Sequence, residues 1–195
     1  LNERHEKVGL ITNDQASALV DTAFLQASYD LVKEVSGSCF CCNFNGFMDA
    51  VSYVFRKNNG GVILAEPVGS CTDLSATILQ PIKDKYSKDI SLAPLTVLAD
   101  PFKLMEIMQD ASSAANYIIL KQFEEADIVL INKIDLLSDK AVGELKKAVS
   151  MRWENTKVMT ASIKTGEGLD AWLDEVLMGT LAGQKIAEVD YDIYA

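Results

Sequence analysis

Ala126-Asp127-Ile128-Val129-Leu130-Ile131, running straight into Asn132-Lys133-Ile134-Asp135, is the stretch that sets the class of this chain. The first six residues are apolar and rich in β-branched side chains, which predicts a short strand covered on both faces. The polar residues break that run at its carboxyl end, where an open α/β sheet places its ligands. An Asp held there can accept two hydrogen bonds from adjacent N–H groups of a flat heterocycle; guanine offers that pair and adenine does not. The same residues would also serve as a polar turn into the helix that begins near Ser138.

The pattern repeats outward in both directions. Strand-like runs occupy 7–12, 31–35, 61–65, 95–99 and 157–161, and helical periodicity occupies 44–57, 73–86, 101–108, 114–125, 139–150 and 169–181. Thr72-Asp73 and Ser138-Asp139 have the chemistry of N-caps, and Pro101 suits the first turn of a helix. This alternation predicts an α/β fold with a mostly parallel, doubly wound sheet. The chain's 195 residues are expected to form a single domain over 1–195, incomplete at both ends.

An apolar fraction of 49% and a charged fraction of 24% are those of an ordinary globular chain. A net charge of −10 argues against nonspecific binding to nucleic acid or to an acidic membrane surface. No run approaches the ~18 apolar residues needed to span a bilayer. Leu1 opens no signal-peptide pattern, so the expected compartment is the cytoplasm. His5, the single histidine, sits among Arg4, Glu6 and Lys7 and reads as exposed, which leaves Ser/His/Asp and Cys/His catalysis without its histidine.

All four cysteines lie between Cys39 and Cys71, three of them as Cys39-Phe40-Cys41-Cys42. Clustering of this kind points to metal or redox chemistry rather than a disulfide framework. Cys-x-Cys-Cys lacks the Cys-x-x-Cys spacing that tunes a reactive thiol at a helix start, which favours metal. Thiolates suit Zn²⁺ and other soft or borderline cations, and three of them leave one tetrahedral position for water, a partner or another residue. Cys71 is the candidate for it, with a small buried hydrophobe as the alternative. Just before it, Gly61-Val62-Ile63-Leu64-Ala65-Glu66-Pro67-Val68-Gly69 is an apolar strand ending in an acid, with a glycine three residues on. In nucleotide-hydrolysing folds an acid at that place holds Mg²⁺, and the N–H of such a glycine follows the γ-phosphate. A surface capping carboxylate is the alternative for Glu66. The loop Thr160-Ala161-Ser162-Ile163-Lys164-Thr165-Gly166-Glu167-Gly168 falls between the last strand and the last helix.

Asn132-Lys133-Ile134-Asp135, Ser162-Ile163-Lys164, Glu66-Pro67-Val68-Gly69 and Gly37-Ser38-Cys39-Phe40-Cys41-Cys42 resemble, in order and spacing, the metallochaperone GTPases of the CobW, HypB and UreG type, over about residues 7–181. The Cys-x-Cys-Cys form is most similar to the CobW, cobalamin-synthesis-related branch. The resemblance implies a P-loop NTPase-like fold and a GTPase using GTP, GDP and Mg²⁺. It implies transport of Zn²⁺, Co²⁺ or Ni²⁺ on the cysteines to a client metalloenzyme or cofactor-biosynthesis protein, with a nucleotide-dependent homodimer as a further association. Asn132, Lys133 and Asp135 would read guanine. Ser162, Ile163 and Lys164 would face its carbonyl, with Ile163 standing where Ala is usual. Glu66 and Gly69 would serve hydrolysis, and Asp14 and Asp21 would be linked to Mg²⁺. One departure is clear: no Gly-x-x-x-x-Gly-Lys-Ser/Thr occurs in the sequence. In the family that loop precedes the segment matching 7–12, so it is expected upstream of Leu1, since a sheet without its strand would expose a buried edge. The alternative is a non-catalytic metal-binding or partner-binding module on a degenerate GTPase frame.

Overall fold

The computed structural model describes residues 7–14, 25–109, 114–178 and 182–190, and the chain divides into two compact units, Leu1–Cys71 and Thr72–Ala195. In the first unit, β1 (Val8–Asp14), β2 (Val32–Ser36) and β3 (Val62–Glu66) form a parallel sheet in the order β2-β1-β3. Its register places Thr12 between Glu34 and Glu66 and aligns Asn13 with Val35. Helix α1 (Phe44–Asn58) begins where Asn43 accepts from the Gly46 amide at 3.0 Å, and ends at Asn59 in the left-handed conformation, φ 52°. It buries Phe47, Met48, Ala50, Val51 and Val54, the apolar stripe expected of its periodicity. Gly9 permits this packing, because a Cβ there would fall 2.1 Å from Val54 Cγ1.

In the second unit, β4 (Thr96–Ala99), β5 (Ile128–Ile131) and β6 (Lys157–Thr160) form another parallel sheet, in the order β4-β5-β6. All four residues of β5 are buried, as an apolar run between two strands and two covering layers requires. The helices are α2 (Gln80–Tyr86), α3 (Pro101–Gln109), α4 (Ala114–Glu125), α5 (Asp139–Arg152) and α6 (Leu169–Met178). Phe123 and Trp153 meet edge to face, with centroids 5.1 Å apart, in a core shared with Leu104, Val129, Ile131 and Val149. The segment 182–190 is strapped across this unit. Asp127 accepts from the amides of Gly183 (2.6 Å) and Gln184 (3.3 Å), Lys185 Nζ donates to Ala126 O (2.7 Å), and the Tyr117 hydroxyl accepts from the Asp190 amide (2.6 Å).

Two expectations change in detail. The strand expected from Ala126 starts at Ile128, because α4 runs to Glu125 and the Ala126 amide still bonds back to Gln122 O at 3.1 Å. At the helix start expected at Thr72-Asp73, Asp73 O accepts from Thr77 N at 3.0 Å. Asp73 has φ +61°, outside the helical range, and the chain enters α2 through a π-helical turn, Ser75–Leu79. A distant residue also serves this start: the Glu125 carboxylate accepts from Ser75 N at 3.0 Å. At Ser138 the expected cap forms, with Oγ accepting from the Ala141 amide at 3.3 Å. Among the described residues no helix is long and apolar enough to cross a membrane.

Candidate functional site

In the first unit, Cys39, Cys41 and Cys42 sit on the connection from β2 to α1, beyond Gly37, whose φ of +87° turns the chain out of the strand. Cys39 Sγ lies 2.7 Å from Cys41 Sγ and 3.0 Å from Cys42 Sγ, and Cys41 and Cys42 are 4.0 Å apart. Cys71, buried, arrives from the turn after β3, closed by its own amide donating to Val68 O at 2.8 Å. The sulfurs of Cys39, Cys41 and Cys71 all lie within 4.8 Å of one another. In a tetrahedral thiolate site with Zn–S near 2.3 Å, sulfurs are separated by ~3.8 Å, so these spacings bracket that value. The donor set fits a thiophilic cation.

The thiols share their protons unequally. Burial raises the Cys39 pKa, but hydrogen bonds from Cys41, Cys42 and Cys71 outweigh it and hold this thiol below its ordinary value. Burial, with the adjacent Cys39, holds Cys41 well above its ordinary value. Burial and the charge of Cys39 push Cys71 up to about 11. The hydrogen bond and charge of Cys39 also raise exposed Cys42. Cys39 is therefore the first of the four to ionise, and a cation must displace further protons to recruit the rest.

Glu66 ends β3 and is exposed, and Gly69 lies on the turn between it and Cys71. A Cβ at Gly69 would meet nothing within 4 Å, so packing among the described residues does not demand glycine there. Asp14 closes β1, paired in register with Ser36. Asp21 and His5 lie outside the described residues.

In the second unit the two motif loops are stitched at the carboxyl ends of β5 and β6. Asn132 Oδ1 accepts from Ile163 N at 3.0 Å, and Ser162 Oγ donates to Asp135 Oδ1 at 2.6 Å while accepting from Thr165 N at 3.2 Å. Lys133 has φ +59°, and its ammonium reaches Asp100 Oδ2 at 2.8 Å. Ser162 is fully buried and Ile163 is 54% exposed, so the larger side chain meets no core on this edge. Asp135 and Lys164 are exposed. Gly168 has φ +75°, and a Cβ on it would come 2.2 Å from Thr160 O, which fixes glycine at the close of the loop.

The model of the CobW/HypB/UreG nucleotide-binding domain matches residues 1–160. The chain belongs to the CobW/HypB/UreG family. This is a family of metallochaperones of GTPase type, and this member is CobW-like. It is 28% identical over 154 residues to the zinc chaperone YeiR of Escherichia coli, a match covering 77% of this chain and 43% of that protein. The chain thus spans less than half the length of that relative. Among solved structures it is similar to HypB from Helicobacter pylori in complex with nickel, with a TM-score of 0.63 and 15% identity over 91% of this chain and 76% of that one. A LAO/AO transport system kinase follows at a TM-score of 0.56 and 14% identity, over 91% of this chain and 50% of that one. These structural likenesses establish the P-loop NTPase-like α/β fold.

The sequence assigns no individual role to two residues beside these sites. Asp100 follows β4 and divides its carboxylate: Oδ1 accepts from Phe102 N (2.9 Å) and Lys103 N (3.2 Å), while Oδ2 holds Lys133. The signal for it was an Asp immediately before Pro101 at a helix start. Asn13, next to the end of β1, is bonded to the cysteine loop. It carries no comparable signal, because its partners are backbone groups distant in sequence.

Proposed function

We propose that this chain carries a guanine-nucleotide switch and a transition-metal cargo site, and works in the cytoplasm as a GTP-hydrolysing metallochaperone. Asn132, Lys133 and Asp135 select guanine, with Ser162, Ile163 and Lys164 lining the same edge. Glu66, and Asp14 with it, hold Mg²⁺, which neutralises charge on the phosphates, and the Gly69 amide follows the γ-phosphate. Cys39, Cys41, Cys42 and Cys71 take the metal, which passes to a client metalloenzyme or cofactor-biosynthesis protein, with a nucleotide-dependent homodimer as the donor form. Zn²⁺ is the first cargo to try, since the Escherichia coli relative is a zinc chaperone; Co²⁺ and Ni²⁺ share the site's chemistry.

The observation that carries this reading is the approach of Cys71 to Cys39 and Cys41. Cys71 belongs to the same turn as Glu66 and Gly69. A change at the phosphate-sensing turn would therefore move one ligand relative to the other three, and release would follow from loss of the fourth bond.

Native mass spectrometry tests the cargo. The wild type should retain metal, and the combined Cys39→Ser, Cys41→Ser and Cys42→Ser variant should not; equal uptake by the two sinks the metallochaperone reading. Titration with GDP and with ADP tests the switch. GDP should bind ahead of ADP, and Asp135→Asn should remove about 2–4 kcal/mol of the preference. Residues Leu1–Ala195 contain no Gly-x-x-x-x-Gly-Lys-Ser/Thr motif. Residues Leu1–Ala195 by themselves should accordingly hydrolyse GTP slowly. Rapid Mg²⁺-dependent turnover by them would show that other residues hold the phosphates.

A further inference from the structure

The side-chain amide of Asn13 is engaged by the end of β2 and the cysteine loop that follows it. Nδ2 donates to Val35 O at 2.9 Å and to Ser38 O at 2.8 Å, and Oδ1 accepts from Phe40 N at 2.9 Å. Two donors and one acceptor are thereby matched to three backbone groups. Ser38 O and Phe40 N belong to the two peptide units that flank Cys39, so a single side chain holds the backbone of this cysteine from both directions. Phe40 supplies the loop's second anchor: it is 2% exposed, and its ring lies 4.5 Å from that of Phe47 in α1. Between these anchors Cys39 is the hub of the thiol cluster, the one sulfur within 3.0 Å of both Cys41 and Cys42.

We propose that Asn13 is the positioning residue of the metal site: by fixing both peptide units of Cys39 against the end of β1, it sets where the Cys39 sulfur stands relative to the other thiols, and so the affinity and geometry of the bound metal. The proposal rests on the metallochaperone reading above. No other residue type reproduces the match. Asp has the right shape but sets a carboxylate against two carbonyl oxygens; Ala leaves the Phe40 amide without its acceptor; Gln carries the same amide on a longer stem and displaces the loop.

Co²⁺ added to the reduced full chain is the probe. Thiolate-to-cobalt charge transfer reports occupancy, and the ligand-field bands report coordination geometry. Asn13→Ala and Asn13→Asp should each weaken Co²⁺ binding by about ten- to hundredfold, the range for groups that orient metal ligands, and should shift the ligand-field bands. Val54→Ala, which removes core packing in the same unit without removing a hydrogen bond to the loop, should lower the melting temperature and leave affinity and bands unchanged. Asn13→Gln serves if the other two variants fail to fold, and must also shift the bands. If the triple cysteine variant binds Co²⁺ as the wild type does, the metallochaperone reading falls and takes the proposal with it. If that variant loses Co²⁺ while the folded Asn13 variants keep wild-type affinity and bands, the proposal alone is overturned.

Discussion

Glu125 offers a test in which the structure fixes both the sign and the size of the effect. The residue is 1% exposed at the end of α4, and its carboxylate accepts from the amide of Ser75 at 3.0 Å, with the amides of Leu74 and Asp73 also directed to it. Burial pushes its pKa up from 4.5 to about 7; the charge of Asp73 adds to the rise and the amide donors oppose it. Between those two pH values the folded chain keeps a proton that the unfolded chain has released. Glu125 therefore contributes its full stability below the unfolded value and loses it as pH climbs through the folded one, a total of about 3 kcal/mol. Glu125→Gln cannot ionise and keeps an oxygen for Ser75. Its stability relative to wild type should rise by about 2–3 kcal/mol between about pH 5 and pH 8. Urea unfolding followed by tryptophan fluorescence reads this, since Trp153 packs on Phe123 and both tryptophans lie in the second unit. Asp73→Asn, tolerated at φ +61°, should shrink the gap by removing one source of the shift. A wild-type-to-Gln difference that stays constant with pH would refute the reasoning.

Gly168→Ala should cost more than about 2 kcal/mol, because it joins a left-handed backbone to a Cβ 2.2 Å from Thr160 O; an unchanged urea midpoint would contradict the close approach. Asp100→Asn keeps an acceptor for the start of α3 and removes the charge that faces Lys133. Since both partners are partly exposed, stability should change by under ~1 kcal/mol, and GDP affinity by less than about fivefold. Calorimetric titration checks this, and a large loss would mean that Asp100 itself touches nucleotide. Metal affinity should fall as pH drops, because Cys41 and Cys71 hold their protons above the ordinary thiol range and must release them to bind. Competition with a chromophoric chelator at two pH values decides it, and equal affinities would rule out thiolate ligation.

The parts of this fold that are legible in sequence are those whose causes are local. The run Ile128–Ile131 declares itself as a covered strand, because nothing but β-branched and apolar residues suits burial on both faces. The Ser138 cap and Pro101 at the head of α3 are equally local. What escapes is whatever depends on closure over long stretches of chain. The acceptor for the Ser75 amide comes from a residue fifty positions away, and nothing near Thr72-Asp73 announces it. Asp127 carries no local sign that its carboxylate is the anchor for the strap at Gly183. In the cysteine region the triplet is written plainly in the chain, whereas the approach of Cys71 depends on the turn that follows Glu66, and the clamp by Asn13 depends on the register of β1 against β2.

The strap over 182–190 gives the second unit an asymmetric response to force. A load applied at Asp190 meets the Tyr117 bond first, then the two of Lys185, then the two of Asp127, one anchor after another. Bonds loaded in series peel at low force, while β5, bonded along its length on both sides, is loaded across many bonds together. Pulling from that end should lengthen the chain by the strap before any strain reaches Asn132 or Asp135. The strap is then a slack cable, and the edge that carries Asn132 and Asp135 is mechanically insulated from whatever tugs on it.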